Sequence, residues 1–305
     1  FKVAAVPFHV WSPDVYEGSP TPVVGYMAAV VKVGAFAAVL RVLASGLFTQ
    51  QDGWRPMVWA LAAVTMLVGA SLALVQRNMK RLLAYSSISH AGYVLMGLWA
   101  SSPDGTAASL YYLAVYALLA IGSFAVVTVV SADGREDLAS YRGLGATRPW
   151  LAGSLTVLLL AQAGVPFTTG FLAKLAVLEA ALSHLGAAGV TLGVVAMLAT
   201  AIGGYFYLRV VVLLYASPSA APAVVAPEAR PRLALARLTA VGQGIVLADD
   251  RDGAPVDAPG IAALGPTPVA TSVAVAACVV PTVVLGVWAG PLSALTQHAT
   301  MLFHP

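Results

Sequence analysis

Apolar runs of about 20 residues recur along the sequence, separated by short charged or Pro/Gly-rich links. Runs of that length suit the hydrocarbon core of a bilayer. Lipid-facing β-strands alternate apolar and polar residues over about ten positions, whereas these runs are apolar almost throughout, so a barrel fits poorly. Composition argues the same way. Charged residues are 10% of the 305 and hydrophobic residues 59%, against about a quarter charged in a soluble domain. The fold class expected is an all-α polytopic membrane bundle, with about seven full spans and an N-terminal partial span.

A formal charge of +3, with basic residues scattered, gives no nucleic-acid footprint. The single cysteine, Cys278, excludes an internal disulfide and a Cys-ligated zinc or iron–sulfur site. Nucleotide loop, HExxH, CxxC and nucleophile-elbow patterns are all missing from the sequence. Any driving energy must come from an ion gradient or a partner subunit. The chain opens Phe1-Lys2-Val3, without an initiator Met or signal-type core; it reads as beginning inside a helix and as the C-terminal part of a longer protein.

Residues 1–11 read as the tail of a span interrupted by Pro7, and 12–22 as a proline-punctuated connection. Further spans are expected at 22–43, 57–76, 82–99, 107–131, 187–215 and 269–290. The apolar segment 151–185 would be roughly 50 Å long as one helix, too long for a single straight span. Its middle, Gly164-Val165-Pro166-Phe167-Thr168-Thr169-Gly170, points to a broken helix. Three regions follow: a helical core over 1–215, a long polar Ala/Pro-rich loop over 216–266 with one short amphipathic turn near 233–238, and a final span and tail over 267–305. If the Arg77–Arg81 link is cytoplasmic, the other Arg-bearing links fall on the same side, leaving Arg55 and little else opposite; the positive-inside rule favours that orientation.

Ionisable residues at membrane depth are costly and are functional candidates. Lys32 falls near the middle of its span. It is either half of an ion pair that tightens packing or a titratable relay in a wet interior. Lys174 and Glu179 follow the 164–170 break, where freed backbone groups and water can meet an ion. They are five residues apart, do not share a helix face well, and each looks for a partner elsewhere. Lys2 precedes Pro7 as Lys174 follows Pro166, and Val6-Pro7-Phe8 echoes Val165-Pro166-Phe167, a hint of internal duplication. His90 sits among Ser86, Ser87, Ser89 and Gly92; it is either a histidine satisfied by a hydroxyl or a relay that titrates near neutrality. His9, His184, His298 and His304 lie nearer loops or the tail and receive no chemistry. Arg41 and Arg209, near helix ends, can snorkel.

The stretch from Phe1 to Pro22, FKVAAVPFHVWSPDVYEGSPTP, resembles the antiporter-like membrane subunits of respiratory complex I, the NADH-quinone oxidoreductase. Lys32-Val33-Gly34-Ala35-Phe36, Arg81 to Gly92, Gly164-Val165-Pro166 and Gly170 to Lys174 agree, and Asp14-Val15-Tyr16-Glu17-Gly18 favours the subunit N branch over its sisters L and M. The resemblance covers about 1–215 and the final helix. It implies a fourteen-helix fold of which this chain supplies helices seven to fourteen. Lys2 then belongs to broken helix seven, Lys32 to helix eight, His90 to helix ten and Lys174 to broken helix twelve, along a hydrated axis with proton half-channels. The glutamate expected to pair with Lys2 would lie upstream. The implied function is a subunit that couples quinone reduction to proton pumping through buried lysines. No cofactor is expected on this chain; NADH, FMN, iron–sulfur clusters and quinone belong to the whole complex. Implied partners are the other membrane-arm subunits and lipid, in the bacterial inner membrane. Two alternatives stay open: a subunit of a multi-subunit cation/proton antiporter, and a structural membrane subunit whose lysines are locked in ion pairs.

Overall fold

A computed structural model describes residues 1–132, 134, 136–183, 186–217, 267–301 and 303. The elements are helical: α1 Trp11–Gly18, α2 Thr21–Tyr26, α3 Lys32–Leu40, α4 Gln51–Leu74, α5 Met79–Trp99, α6 Pro103–Val130, α7 Leu144–Thr147, α8 Pro149–Ala163, α9 Thr169–Leu182, α10 Gly186–Tyr215, α11 Val269–Val287 and α12 Gly290–Thr300. The π-helical turn Met27–Val31 joins α2 to α3, and a second, Arg41–Gly46, extends α3, so that one rod spans Thr21–Gly46.

Among the described residues, five helices are long and apolar enough to cross a membrane: Thr21–Gly46, Phe48–Leu74, Pro103–Val130, Gly186–Tyr215 and Val269–Val287. This is fewer than the seven or so full spans read from the sequence. The difference lies in α5, whose apolar run is interrupted by Ser86, Ser87, Ser89 and His90, and in the α8–α9 pair, whose halves are each too short to cross alone. The N-terminal partial span also needs correction. Residues 2–10 lie in turns and loop, and the supposed connection at 12–22 instead carries helix α1. The tail is helical as well, as α12. Nearly all of the 216–266 loop, including its supposed amphipathic turn, lies outside the described residues, as do His184 and His304.

Local chemistry sets the helix ends. Asn78 caps α5, its side-chain oxygen accepting from the backbone N–H groups of Lys80 and Arg81. Ser102 accepts from Gly105 N–H, with Pro103 filling the first helical position of α6. The core centres on α5 and α6, which are buried along most of their length. Around them, α4, α9, α10 and α11 turn apolar side chains outward, including Val64, Leu182, Val194, Met197 and Val280. An outward apolar face around a polar-containing centre is the arrangement a lipid solvent favours.

One end of the bundle is tied by charge. Lys80 pairs with Glu136 at 2.5 Å and donates to the carbonyls of Glu17 and Ser19. Arg81 reaches Asp14 and Glu17, each at 2.7 Å. Asn78 donates to Glu17 and Glu136. These bonds fasten α1, α5 and the link after α6 to one another.

Candidate functional site

Lys32 follows directly on the π turn Met27–Val31. Such turns are frequent at functional positions because the extra residue re-aims the side chains around it. Lys32 is 3% exposed. Its ammonium donates to the Ser87 carbonyl at 2.7 Å and to the Ser87 hydroxyl, and lies 5.5 Å from the centre of the Tyr116 ring. The ion pairs of Lys80 with Glu136 and of Arg81 with Asp14 and Glu17 include neither Lys32 nor Lys174. Here the ion-pair reading of Lys32 gives way to hydroxyl, carbonyl and aromatic solvation, because the described carboxylates lie near helix ends or in links.

His90 is one turn beyond Ser87 on α5. Its Nδ1 shares a 2.7 Å hydrogen bond with the Tyr112 hydroxyl, and its Nε2 lies 3.1 Å from the Tyr207 hydroxyl. Tyr207 also meets Ser86 Oγ and donates to Gln162 Oε1 at 3.3 Å, while Gln162 Nε2 donates to Ser123 Oγ at 2.8 Å. When Tyr207 spends its only proton on Gln162, Nε2–H donates to Tyr207 and Nδ1 accepts from Tyr112. The imidazole is thus held at both nitrogens. The Tyr116 ring sits 5.1 Å from the His90 ring and also faces Lys32.

Lys174 is placed by the broken helix. Gly164, at φ +90°, ends α8 in the left-handed conformation that a glycine tolerates best. Thr168 caps α9, its hydroxyl accepting from Phe171 N–H. At Gly170 the chain re-enters so close to α8 that a Cβ would stand 1.8 Å from the Ala161 carbonyl oxygen. The predicted break at 164–170 is therefore present, with α8 ending at Ala163 and α9 beginning at Thr169. Lys174 Nζ donates to the Ala163 carbonyl at 2.8 Å and lies 5.2 Å from the centre of the Tyr93 ring. Tyr93 stacks on Tyr112 at 5.7 Å. A cavity of about 10 Å³ is bounded by His90, Tyr93, Gln162, Lys174, Tyr207 and neighbours, at the lower limit for one water.

The fold therefore gathers Lys32, His90 and Lys174 around one polar seam between α3, α5, α6, α8, α9 and α10. It leaves Lys2 apart, exposed in the turns before α1. Glu179 turns away from Lys174 and lines a separate cleft with Asp104, Tyr111 and Ser183. Arg41 sits over the Phe303 ring and Arg209 closes the end of α4, both structural placements. Sequence reasoning missed Tyr93, Tyr112, Tyr116, Tyr207 and Gln162. The i, i+4 pair Tyr112 and Tyr116 inside an otherwise apolar span was the available signal.

Residues 1–203 match the family model described as NADH:quinone oxidoreductase/Mrp antiporter, TM. The chain belongs to that family. Among curated relatives of this family member, NADH-quinone oxidoreductase subunit N of Parafrankia sp. is 48% identical over 219 residues, 71% of this chain and 41% of that protein. Subunit N 3 of Streptomyces griseus is 50% identical over 232 residues, 75% of this chain and 41% of that protein. The chain thus spans less than half the length of these relatives. A chain of respiratory complex I from Thermus thermophilus with bound aureothin superimposes with TM-score 0.71 and 31% identity, covering 96% of this chain and 55% of that one. A chain of the Mrp complex from Dietzia sp. gives TM-score 0.77 at 21% identity, covering 99% and 57%, and shows the fold alone.

Proposed function

We propose that this chain works in the membrane arm of a proton-translocating NADH-quinone oxidoreductase, in a bacterial cell membrane beside other membrane-arm subunits. The observation that carries the proposal is a buried lysine, Lys32, and a half-buried one, Lys174, each solvated by neutral oxygens and a tyrosine face, with His90 and its hydroxyl partners between them. A buried lysine whose charge is not neutralised by a carboxylate responds strongly to nearby charge. Quinone reduction elsewhere in the complex would change the charge at one end of the row. Protonation of Lys32 would then shift the proton affinity of Lys2 on one side and, with His90, Tyr207 and a water in the Lys174 cavity as the relay, that of Lys174 on the other. One proton would load from the cytoplasm and one would leave outside in each cycle. NADH, FMN, iron–sulfur clusters and quinone are assigned to other subunits. The identity to complex I subunit N proteins supports redox driving over a cation/proton antiporter, for which the shared family model and likeness of fold are the support.

The test is proton pumping measured together with NADH–quinone electron transfer in sealed membranes carrying Lys174→Ala in the intact parent complex. Normal assembly with lost turnover, or with fewer protons moved per electron, is expected. Wild-type turnover and proton yield would overturn the role of Lys174. Purification with antiporter subunits in place of redox subunits would overturn the assignment to the oxidoreductase.

A further inference from the structure

The basic end of the bundle carries a second feature, separate from the lysine seam. A cleft of about 800 Å³ is walled by Arg77, Asp137, Leu138, Arg142, Arg209 and Leu213. It forms where the end of α4, the 3₁₀ turn Leu138–Tyr141 and the last turns of α10 meet. Three guanidiniums face one carboxylate there.

The three arginines are differently held. Arg209 donates to the carbonyl of Leu74 at 2.9 Å and to that of Gln76, so it closes the C-terminus of α4 and has a fixed position. Arg77 and Arg142 are exposed, and among the described residues their side chains enter no hydrogen bond or ion pair. Two guanidiniums without acceptors among the described residues, beside a third that is anchored, make a concave cationic surface. Planar guanidinium forks match phosphate oxygens two at a time.

Beside the cleft, the exposed side chains of α4 and α10 are apolar. Tyr205 and Val212, one turn either side of Arg209, are 63% and 67% exposed, and Leu72 near the end of α4 and Val75 just past it stand exposed before Arg77. α4 and α10 run against each other, and Trp59 Nε1 donates to the Ala188 carbonyl at their far ends. Positive charge at the helix ends above an apolar wall suits an amphiphile with an anionic head better than a soluble anion.

We propose that this cleft binds the phosphodiester headgroup of an anionic phospholipid, with its acyl chains against the exposed side chains of α4 and α10. The proposal does not rest on the proton path.

The parent complex, stripped of lipid in a neutral detergent, is titrated with phosphatidylglycerol or phosphatidylcholine, and bound lipid is counted by native mass spectrometry. The wild type should retain phosphatidylglycerol preferentially. Arg77→Gln with Arg142→Gln should weaken that retention by roughly fivefold for each arginine, while phosphatidylcholine binding stays unchanged. Arg209 is left intact because it holds backbone; if the double variant fails to assemble, Arg142→Gln alone tests the same fivefold step. Arg55→Gln, on the opposite side by the orientation argued from charge, serves as the control for general charge loss. Equal retention in wild type and variant overturns the proposal, as does an equal loss in Arg55→Gln. Displacement of phosphatidylglycerol by millimolar inorganic phosphate would mark a soluble-anion site and overturn the lipid assignment.

Discussion

The Lys174 ammonium donates to the carbonyl of Ala163, the last residue of the helix that precedes its own, across 2.8 Å. That carbonyl is free to accept because α8 stops there and no following turn supplies an N–H. It also stands at the negative end of α8, where a cation is favoured. The break thus builds the seat for the lysine, and the two features are one device.

Gly164→Ala should disturb that device without removing any charge. The residue sits at φ +90°, and its new Cβ would lie 2.9 Å from Lys174 Cδ. A non-glycine residue in the left-handed region costs about 1–2 kcal/mol, and the lysine must move as well. We expect an assembled parent complex whose proton yield falls towards that of Lys174→Ala. Full retention of yield would show that the Ala163 contact does not matter to transport.

The sequence made the helical class, the break and the central ionisable residues legible, because each rests on a local cost. Hydrophobic runs have few other solutions, a Gly-Val-Pro segment cannot continue a helix smoothly, and a lysine at mid-span must be solvated. What surrounds Lys32 was not legible. Ser87 lies 55 positions away, and nothing in the spacing says that α3 meets α5 there. Tyr112 and Tyr207 look like ordinary core aromatics until His90 is seen between them. The helix at Trp11–Gly18 was obscured by Pro13, which falls in the first turn where a missing N–H is harmless.

Lys32→Met and Ser87→Ala should separate charge from seating. Methionine removes the ammonium at similar length, so pumping should be lost in assembled complex. Ser87→Ala removes the hydroxyl but leaves the Ser87 carbonyl, the other acceptor. A hydrogen bond to a charged group is worth about 1.5–3 kcal/mol, so an intermediate loss is expected, scored as protons moved per electron pair in proteoliposomes. If Ser87→Ala is as severe as Lys32→Met, the hydroxyl carries the proton itself rather than steadying the lysine.

Tyr112→Phe and Tyr207→Phe each remove one of the two hydroxyls that hold His90. As members of one relay, either change should lower the proton yield, and the pair together should cost little more than the worse single change. A merely structural histidine predicts two additive losses of stability with proton yield unchanged. Proton release and thermal unfolding, read on the same preparations, distinguish the outcomes.

Lys80→Ala and Arg81→Ala test whether burial decides the strength of the clamp at the basic end. The Lys80 side chain is 4% exposed against 28% for Arg81, and it holds two backbone carbonyls as well as Glu136. Breaking a fully buried pair costs about 3–5 kcal/mol, and the 28% exposure of Glu136 lowers the expectation to about 1–3 kcal/mol. Arg81 pairs with exposed carboxylates, Asp14 at 69% and Glu17 at 38%. Such pairs are worth under about 1 kcal/mol, and their share should fade as salt screens them. Thermal unfolding of the purified parent complex at low and high salt should therefore show a larger, salt-insensitive loss for Lys80→Ala and a smaller, salt-sensitive one for Arg81→Ala. The reverse order would mean that the carboxylates of α1, rather than the buried lysine, hold that segment against α5.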